Sequence, residues 1–85
     1  MGPLEARLAT AVEASGMSRV AAAHCIGVTR LTLTLWLTGG SPVGEKYQGA
    51  VRTFLGQVMS ATRAGRLPVT RRTSAPAVAA ILQGE

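Results

Sequence analysis

Residues 19–40 read RVAAAHCIGVTRLTLTLWLTGG, and this stretch decides the fold. Ser18 stands where an N-cap would precede the alanine-rich run, and Gly27 interrupts that run. Thr29 is a second candidate N-cap, directly before residues 30–37. The stretch therefore predicts two short helices, over residues 19–25 and 30–37, joined by a tight turn.

Residues 31–37 also carry a pattern typical of a β-strand, because Leu31, Leu33, Leu35 and Leu37 alternate with threonines. Trp36 breaks this alternation. On a helix, Leu33, Trp36 and Leu37 share one face, and the glycine pair that follows supplies an end. We therefore predict a helix here, with the strand as the alternative.

The spacing within the stretch fits two helices that cross closely. Ala23 is small where the helices would cross, Gly27 would take the positive φ of the turn, and Val28 would fill the corner. Leu33 and Trp36 would point from the second helix back onto the first. We expect that a bulky residue at Ala23 or a branched one at Gly27 would prevent this crossing.

The rest of the chain predicts further helices over residues 3–14, from near Glu45 to 64, and over 76–82. Only Trp36, Tyr47 and Phe54 are aromatic, so the core must consist mostly of alanine, leucine and valine. We predict an all-α fold, a small bundle of four or five helices in a single domain. Its core is expected over about residues 3–65, followed by a basic linker and possible dimerisation tail over 66–85.

The surface is cationic, because nine Lys and Arg against four acidic residues give a net charge of +5. Such a balance favours nucleic acid or an anionic membrane as a partner. No apolar run reaches the roughly 18 to 20 residues of a membrane span, and Glu5 and Arg7 break the apolar stretch at the amino terminus. We therefore expect a cytoplasmic protein that binds nucleic acid and no membrane.

Cys25 is the only cysteine, so it has no partner for an intrachain disulfide. His24 adjoins it, but a metal site needs three or four ligands and the chain contains no other His or Cys. The chain has no Asp, and its glutamates are isolated in sequence. We expect no metal, no cofactor and no catalytic activity.

With these features in place, residues 19–39 resemble the helix-turn-helix of the phage repressor and Cro-like family, also called the Xre family. The resemblance covers about a quarter of the chain. Seven positions carry it: Ala23, Gly27, Val28, Thr29, Leu33, Trp36 and Gly39. It implies a lambda repressor-like bundle of four or five helices that binds operator DNA as a homodimer.

The resemblance also implies which residues face DNA. These are Thr29, Arg30 and Leu31 at the start of the second helix, Thr34, Leu35 and Thr38 further along it, and Arg19 beside the phosphates. Lys46 and Arg52 are expected to add phosphate contacts. The guanidinium of Arg30 can bind guanine O6 and N7 in a bidentate manner.

The stretch departs from the family pattern in two ways. Leu31 and Leu35 stand where the family usually has polar residues, and Arg19 stands where glutamine is common. The two leucines would contact thymine methyl groups, or they would form a protein-binding face.

These features lead to two functional hypotheses. The first is a sequence-specific, double-stranded DNA-binding transcriptional regulator, a repressor or Cro-like protein of phage or mobile-element type, in a bacterial cell or phage-infected host. The alternative is a protein-interaction module, antitoxin-like, that binds its partner through Leu31 and Leu35.

A second, weaker resemblance is to the N-terminal domain of Mu B-type transposition ATPases. It would make these residues one domain of a larger protein. Arg63, Arg66, Arg71 and Arg72 would then belong to a linker or contact DNA without sequence preference.

Overall fold

A computed structural model describes residues 2–84 and contains five α-helices, with no strand in that range. The helices are α1 (Pro3–Ser15), α2 (Arg19–Ile26), α3 (Arg30–Thr38), α4 (Glu45–Arg63) and α5 (Ala75–Leu82). The all-α prediction is confirmed, and the predicted helix ends differ from the observed ones by at most one residue.

The segment with the alternating leucines is the helix α3. Leu33 and Trp36 point into the core and are buried, whereas Leu31 and Leu35 lie on the opposite, exposed side. A strand would have placed all four odd-numbered leucines on one face. The helix is more stable here than a strand because it buries Trp36 together with Leu33 and because both of its ends are capped.

The turn between α2 and α3 is built as the sequence predicts. The Ser18 hydroxyl accepts a hydrogen bond from the Ala21 N–H at 3.1 Å, and Thr29 Oγ1 accepts one from the Thr32 N–H at 3.2 Å. Gly27 has a φ of 93°, and its N–H donates to the Ala23 carbonyl at 2.8 Å. The chain direction changes by 106° between the two helices, within the range of a helix-turn-helix.

Gly27 is required by its backbone angle and not by crowding. No atom lies within 4 Å of the position that a Cβ would take there. A Cβ at Gly27 therefore meets no crowding, and what opposes a side chain there is the strain of a left-handed residue with a φ of 93°. The close packing lies along α2 itself, where Ala21, Ala22 and Ala23 are all buried.

The core continues well beyond residue 65. Leu67, Val78 and Leu82 are buried, and α5 packs against α2 and α4. The short alanine side chains of α2 leave room for α5 to approach, so the apolar residues expected to be spare for a dimer lie within the chain's own core. In the described part of the chain, the segment after residue 65 is not a linker.

No single helix within residues 2–84 is both long and apolar enough to span a membrane. Helices α2 and α3 reach that length only when counted together, across the 106° bend.

Candidate nucleic-acid interface

The outer face of α3 consists of Arg30, Leu31, Thr34, Leu35 and Thr38, which point away from the buried Leu33 and Trp36. Leu31 is 68% exposed and Leu35 is 40% exposed. Arg30 is the first residue of α3 and supplies the only charge on this face. The face is therefore mainly leucine and threonine, with one cation at its amino-terminal end.

Two predicted DNA-contacting threonines use their hydroxyl hydrogens within the chain. Thr29 Oγ1 donates to Thr32 Oγ1 at 2.9 Å while it caps α3, and Thr38 Oγ1 donates to the Thr34 carbonyl at 2.9 Å. The remaining oxygen lone pairs can accept from a base amino group, but a phosphate oxygen has no hydrogen to give. As long as these internal hydrogen bonds are kept, the hydroxyls of Thr29 and Thr38 can only accept from DNA. They therefore suit the amino groups of base edges better than phosphates.

A groove of about 760 Å³ opens beside the start of α2 and α3, and we call it the basic groove. Arg19, Arg30 and Arg71 line it, together with Glu13 on α1. Arg19 begins α2, Arg30 begins α3, and Arg71 comes from the turn before α5. All three arginines are exposed, so an anion in the groove can meet charges from three separate parts of the fold.

The position of Arg71 in this groove is not visible in the sequence, where it belongs to one basic stretch with Arg63, Arg66 and Arg72. The structure separates these four residues. Arg66 Nε donates to the Ile81 carbonyl at 3.2 Å and so supports the end of α5, while Arg63 Nη2 lies 3.5 Å from Met59 Sδ on α4. Of these four, Arg71 alone lines the basic groove within the described residues.

Lys46 and Arg52, the other expected phosphate contacts, are exposed on α4 and lie outside the lining of the basic groove. Lys46 Nζ is 5.0 Å from the centre of the Tyr47 ring, and that ring lies 5.6 Å from the Trp36 ring. This stack connects the start of α4 to α3. Trp36 is buried, which confirms its predicted structural role.

The part of the sequence that forms α2 and α3 contains no acidic residue. No acidic residue occurs between positions 14 and 44, a range that includes all of α2 and α3. Glu5 is buried and accepts a hydrogen bond from the Val43 N–H, which lowers the pKa of its carboxyl below the ordinary value. Glu13 is thus the one carboxylate among the residues that line the basic groove.

His24 and Cys25 do not form a site together. His24 is exposed, whereas Cys25 is half-buried, and burial raises the pKa of its thiol. The thiol therefore stays protonated at neutral pH, in its less reactive form. Within residues 2–84, no three His, Cys, Asp or Glu side chains come close enough together to hold a metal ion.

The outer face of α3 and the basic groove meet at Arg30, which belongs to both. Together they offer cations for a polyanion and, next to them, methyl and hydroxyl groups on the exposed face of α3. Comparison of the chain with protein-family models, with curated proteins and with solved structures found no match.

Proposed function

We propose that this chain binds double-stranded DNA in a sequence-specific manner and acts as a transcriptional regulator of the repressor or Cro-like kind. One observation carries the proposal. Arg19, Arg30 and Arg71 come from three elements and meet in one groove directly beside the exposed face of α3. A cluster of cations next to an exposed helix face suits a phosphate backbone that borders a groove lined by base edges.

The size of α3 fits the proposal. An α-helix with its side chains is about 10–12 Å across, and the major groove of B-DNA, about 12 Å wide, admits it. The nine residues of α3 extend about 13 Å along such a groove. Recognition helices of helix-turn-helix proteins contact base edges through their amino-terminal residues. Arg30 and Leu31 occupy that end of α3, and Arg30 can bind a guanine through two hydrogen bonds.

The two exposed leucines define the preferred sequence. Leu31 and Leu35 lie one turn apart and have no charged group between them. In the major groove, the partner for such a side chain is the C5-methyl group of thymine. We infer a half-site with a guanine at the Arg30 position and thymines along the path of α3.

A homodimer is part of the proposal. Two copies related by a two-fold axis would place their α3 helices about 34 Å apart, on successive major grooves of a palindromic site. Sedimentation velocity with and without DNA tests this point. A 1:1 complex on a palindromic duplex would contradict it without affecting the proposed DNA contacts of each copy.

The experiment that tests DNA binding is fluorescence anisotropy on random duplex DNA across a salt series, repeated with a selected pool. We expect log affinity to fall by about 0.9 per neutralised phosphate for each unit of log salt. We also expect selected sequences to bind at least about 10³-fold more tightly than random DNA. Failure to bind any duplex at low salt would refute the proposal.

A second candidate function is protein binding through Leu31 and Leu35, favoured by their exposure of 68% and 40%. The variant Leu31→Arg separates the two functions, because it replaces an exposed apolar side chain of the face with a second cation next to Arg30. If DNA is the partner, random-sequence affinity is kept or increased and sequence preference is lost. If this face binds only protein, Leu31→Arg should raise the affinity for DNA no more than an arginine introduced elsewhere on the surface does.

A further inference from the structure

A second groove of about 540 Å³ lies between α1 and α4, and we call it the apolar groove. Its α1 side is formed by residues that include Thr10, Ala11 and Ala14, and its α4 side by residues that include Leu55, Val58 and Met59. Arg7 and Arg63 also line it, one on each helix. The groove is thus an apolar channel with a cation on each side.

The apolar groove and the basic groove lie on different flanks of α1. Ala9 and Val12 line the basic groove, whereas Arg7, Ala11 and Ala14 line the apolar groove. At 100° per residue these two sets point in nearly opposite directions from the helix axis. A partner in the apolar groove can therefore bind while the outer face of α3 is occupied.

The threonines of the apolar groove do not make it polar. Thr10 Oγ1 donates to the Ala6 carbonyl at 3.0 Å, and Thr62 Oγ1 donates to the Val58 carbonyl at 2.8 Å. Met59 is 50% exposed, although it is a large apolar side chain. Methionine adapts its shape to an incoming apolar surface, so Met59 suits a contact with a partner side chain.

The charges around the groove select the partner. Arg7 and Arg63 are exposed, and Arg52 lies on the same stripe of α4 as Met59, seven residues earlier. None of the residues that line the groove is acidic. A second copy of this chain, with a net charge of +5, would bring like charges together if the same groove met itself. An acidic partner would instead find a cation on each side.

We propose that the apolar groove binds an acidic amphipathic helix of a partner protein. Apolar side chains at i, i+4 and i+7 of that helix lie against Met59, Leu55 and the alanines of α1, while flanking carboxylates pair with Arg7 and Arg63. The α1 side of the groove runs from Ala6 to Ala14, which is about 12 Å of helix and matches two turns of a bound segment. The inference does not depend on DNA binding.

The test uses a fluorescein-labelled helical peptide of about 15 residues, with leucine at i, i+4 and i+7 and glutamate on both flanks. The full chain, uniformly labelled with ¹⁵N, is titrated with this peptide and followed by anisotropy and by amide chemical shifts. We expect saturable binding, with shifts confined to residues 6–14 and 55–63. A matched peptide with lysine in place of glutamate should bind about tenfold or more weakly.

Two variants on α4 test the apolar and the charged parts of the contact separately. Met59→Asp should remove the apolar contact, and Arg63→Glu should lower the affinity for the acidic peptide about tenfold. Arg72→Glu makes the same charge change outside both grooves and should leave binding unchanged. Because Arg63 is exposed, its variant keeps the test valid if Met59→Asp fails to fold.

Three results would overturn the proposal. The first is shifts that map to α3 and not to the apolar groove. The second is equal affinity for the glutamate and lysine peptides, or no binding of either at about 1 mM. The third is self-association of the free chain that Met59→Asp abolishes, which would assign the groove to a second copy.

Discussion

Glu5 Oε1 accepts a hydrogen bond from the backbone N–H of Val43 at 2.8 Å, across 38 positions of sequence. The bond joins the first turn of α1 to the segment between α3 and α4. Both residues are buried, so the Val43 N–H would have no water to replace the carboxylate. This contact helps to fix the path by which the chain leaves α3.

We expect Glu5→Ala to lower the melting temperature at neutral pH, because it leaves the Val43 N–H unpaired. The hydrogen bond holds the pKa of Glu5 below its ordinary value of 4.5. The ionised carboxylate therefore stabilises the fold above about pH 4.5, and this contribution is lost as the pH falls through the pKa of the folded state. In thermal melts between about pH 2 and 7, the difference between the two proteins should shrink toward the acid end, where the protonated carboxyl accepts a weaker hydrogen bond. A difference that stays constant with pH would contradict the prediction.

Two glycines with positive φ should respond differently to alanine. Gly27 has open space around it, so Gly27→Ala should cost only the strain of a left-handed residue, about 1–2 kcal/mol. At Gly16, with a φ of 76°, a Cβ would overlap the carbonyl oxygen of Val69, whose N–H donates to Ser15. Gly16→Ala should therefore destabilise the protein more than Gly27→Ala. Urea unfolding measures both, and equal losses would show that the Val69 segment moves aside freely.

The last helix should be essential for folding. Leu82 is 5% exposed, so Leu82→Ala should lower the free energy of unfolding by about 2–5 kcal/mol. Ala77→Ser, at an exposed position of the same helix, should change it by less than about 0.5 kcal/mol. A chain that ends at residue 65 should lack a cooperative thermal transition in circular dichroism. A cooperative transition in that shorter chain would show that α1–α4 form a core without α5.

The three arginines of the basic groove should differ in what they contribute to DNA binding. Arg30→Ala should weaken binding to the preferred sequence by about 1–3 kcal/mol and relax the preference for one base. Arg71→Ala should weaken all sequences alike and reduce the salt slope by about 1. Arg72→Ala, outside the groove, is the control and should change neither quantity. Anisotropy measures all three, and equal effects of Arg71→Ala and Arg72→Ala would remove Arg71 from the site.

Helix positions could be predicted because their signals are local. Ser18 and Thr29 cap the residues that directly follow them, and the positive φ of Gly27 ends the helix just before it. These contacts span three or four residues, so the printed sequence contains both partners side by side. Helical spacing likewise predicts that Leu33 and Trp36 share the inner face of α3, whereas the residues expected to face DNA, Arg30, Leu31, Thr34 and Leu35, came from the family resemblance.

The sequence by itself therefore determined the five helices, the turn of the helix-turn-helix and the cationic character of the surface. Only the tertiary structure decided that α5 completes the core, that Arg71 joins Arg19 and Arg30, and that an apolar groove remains between α1 and α4. Arg71 stands 41 positions after Arg30, and the two sides of the apolar groove are more than 40 positions apart, so their geometry depends on how whole helices pack. Three buried alanines on α2 let α5 approach, and that approach fixes where the turn before α5 places Arg71.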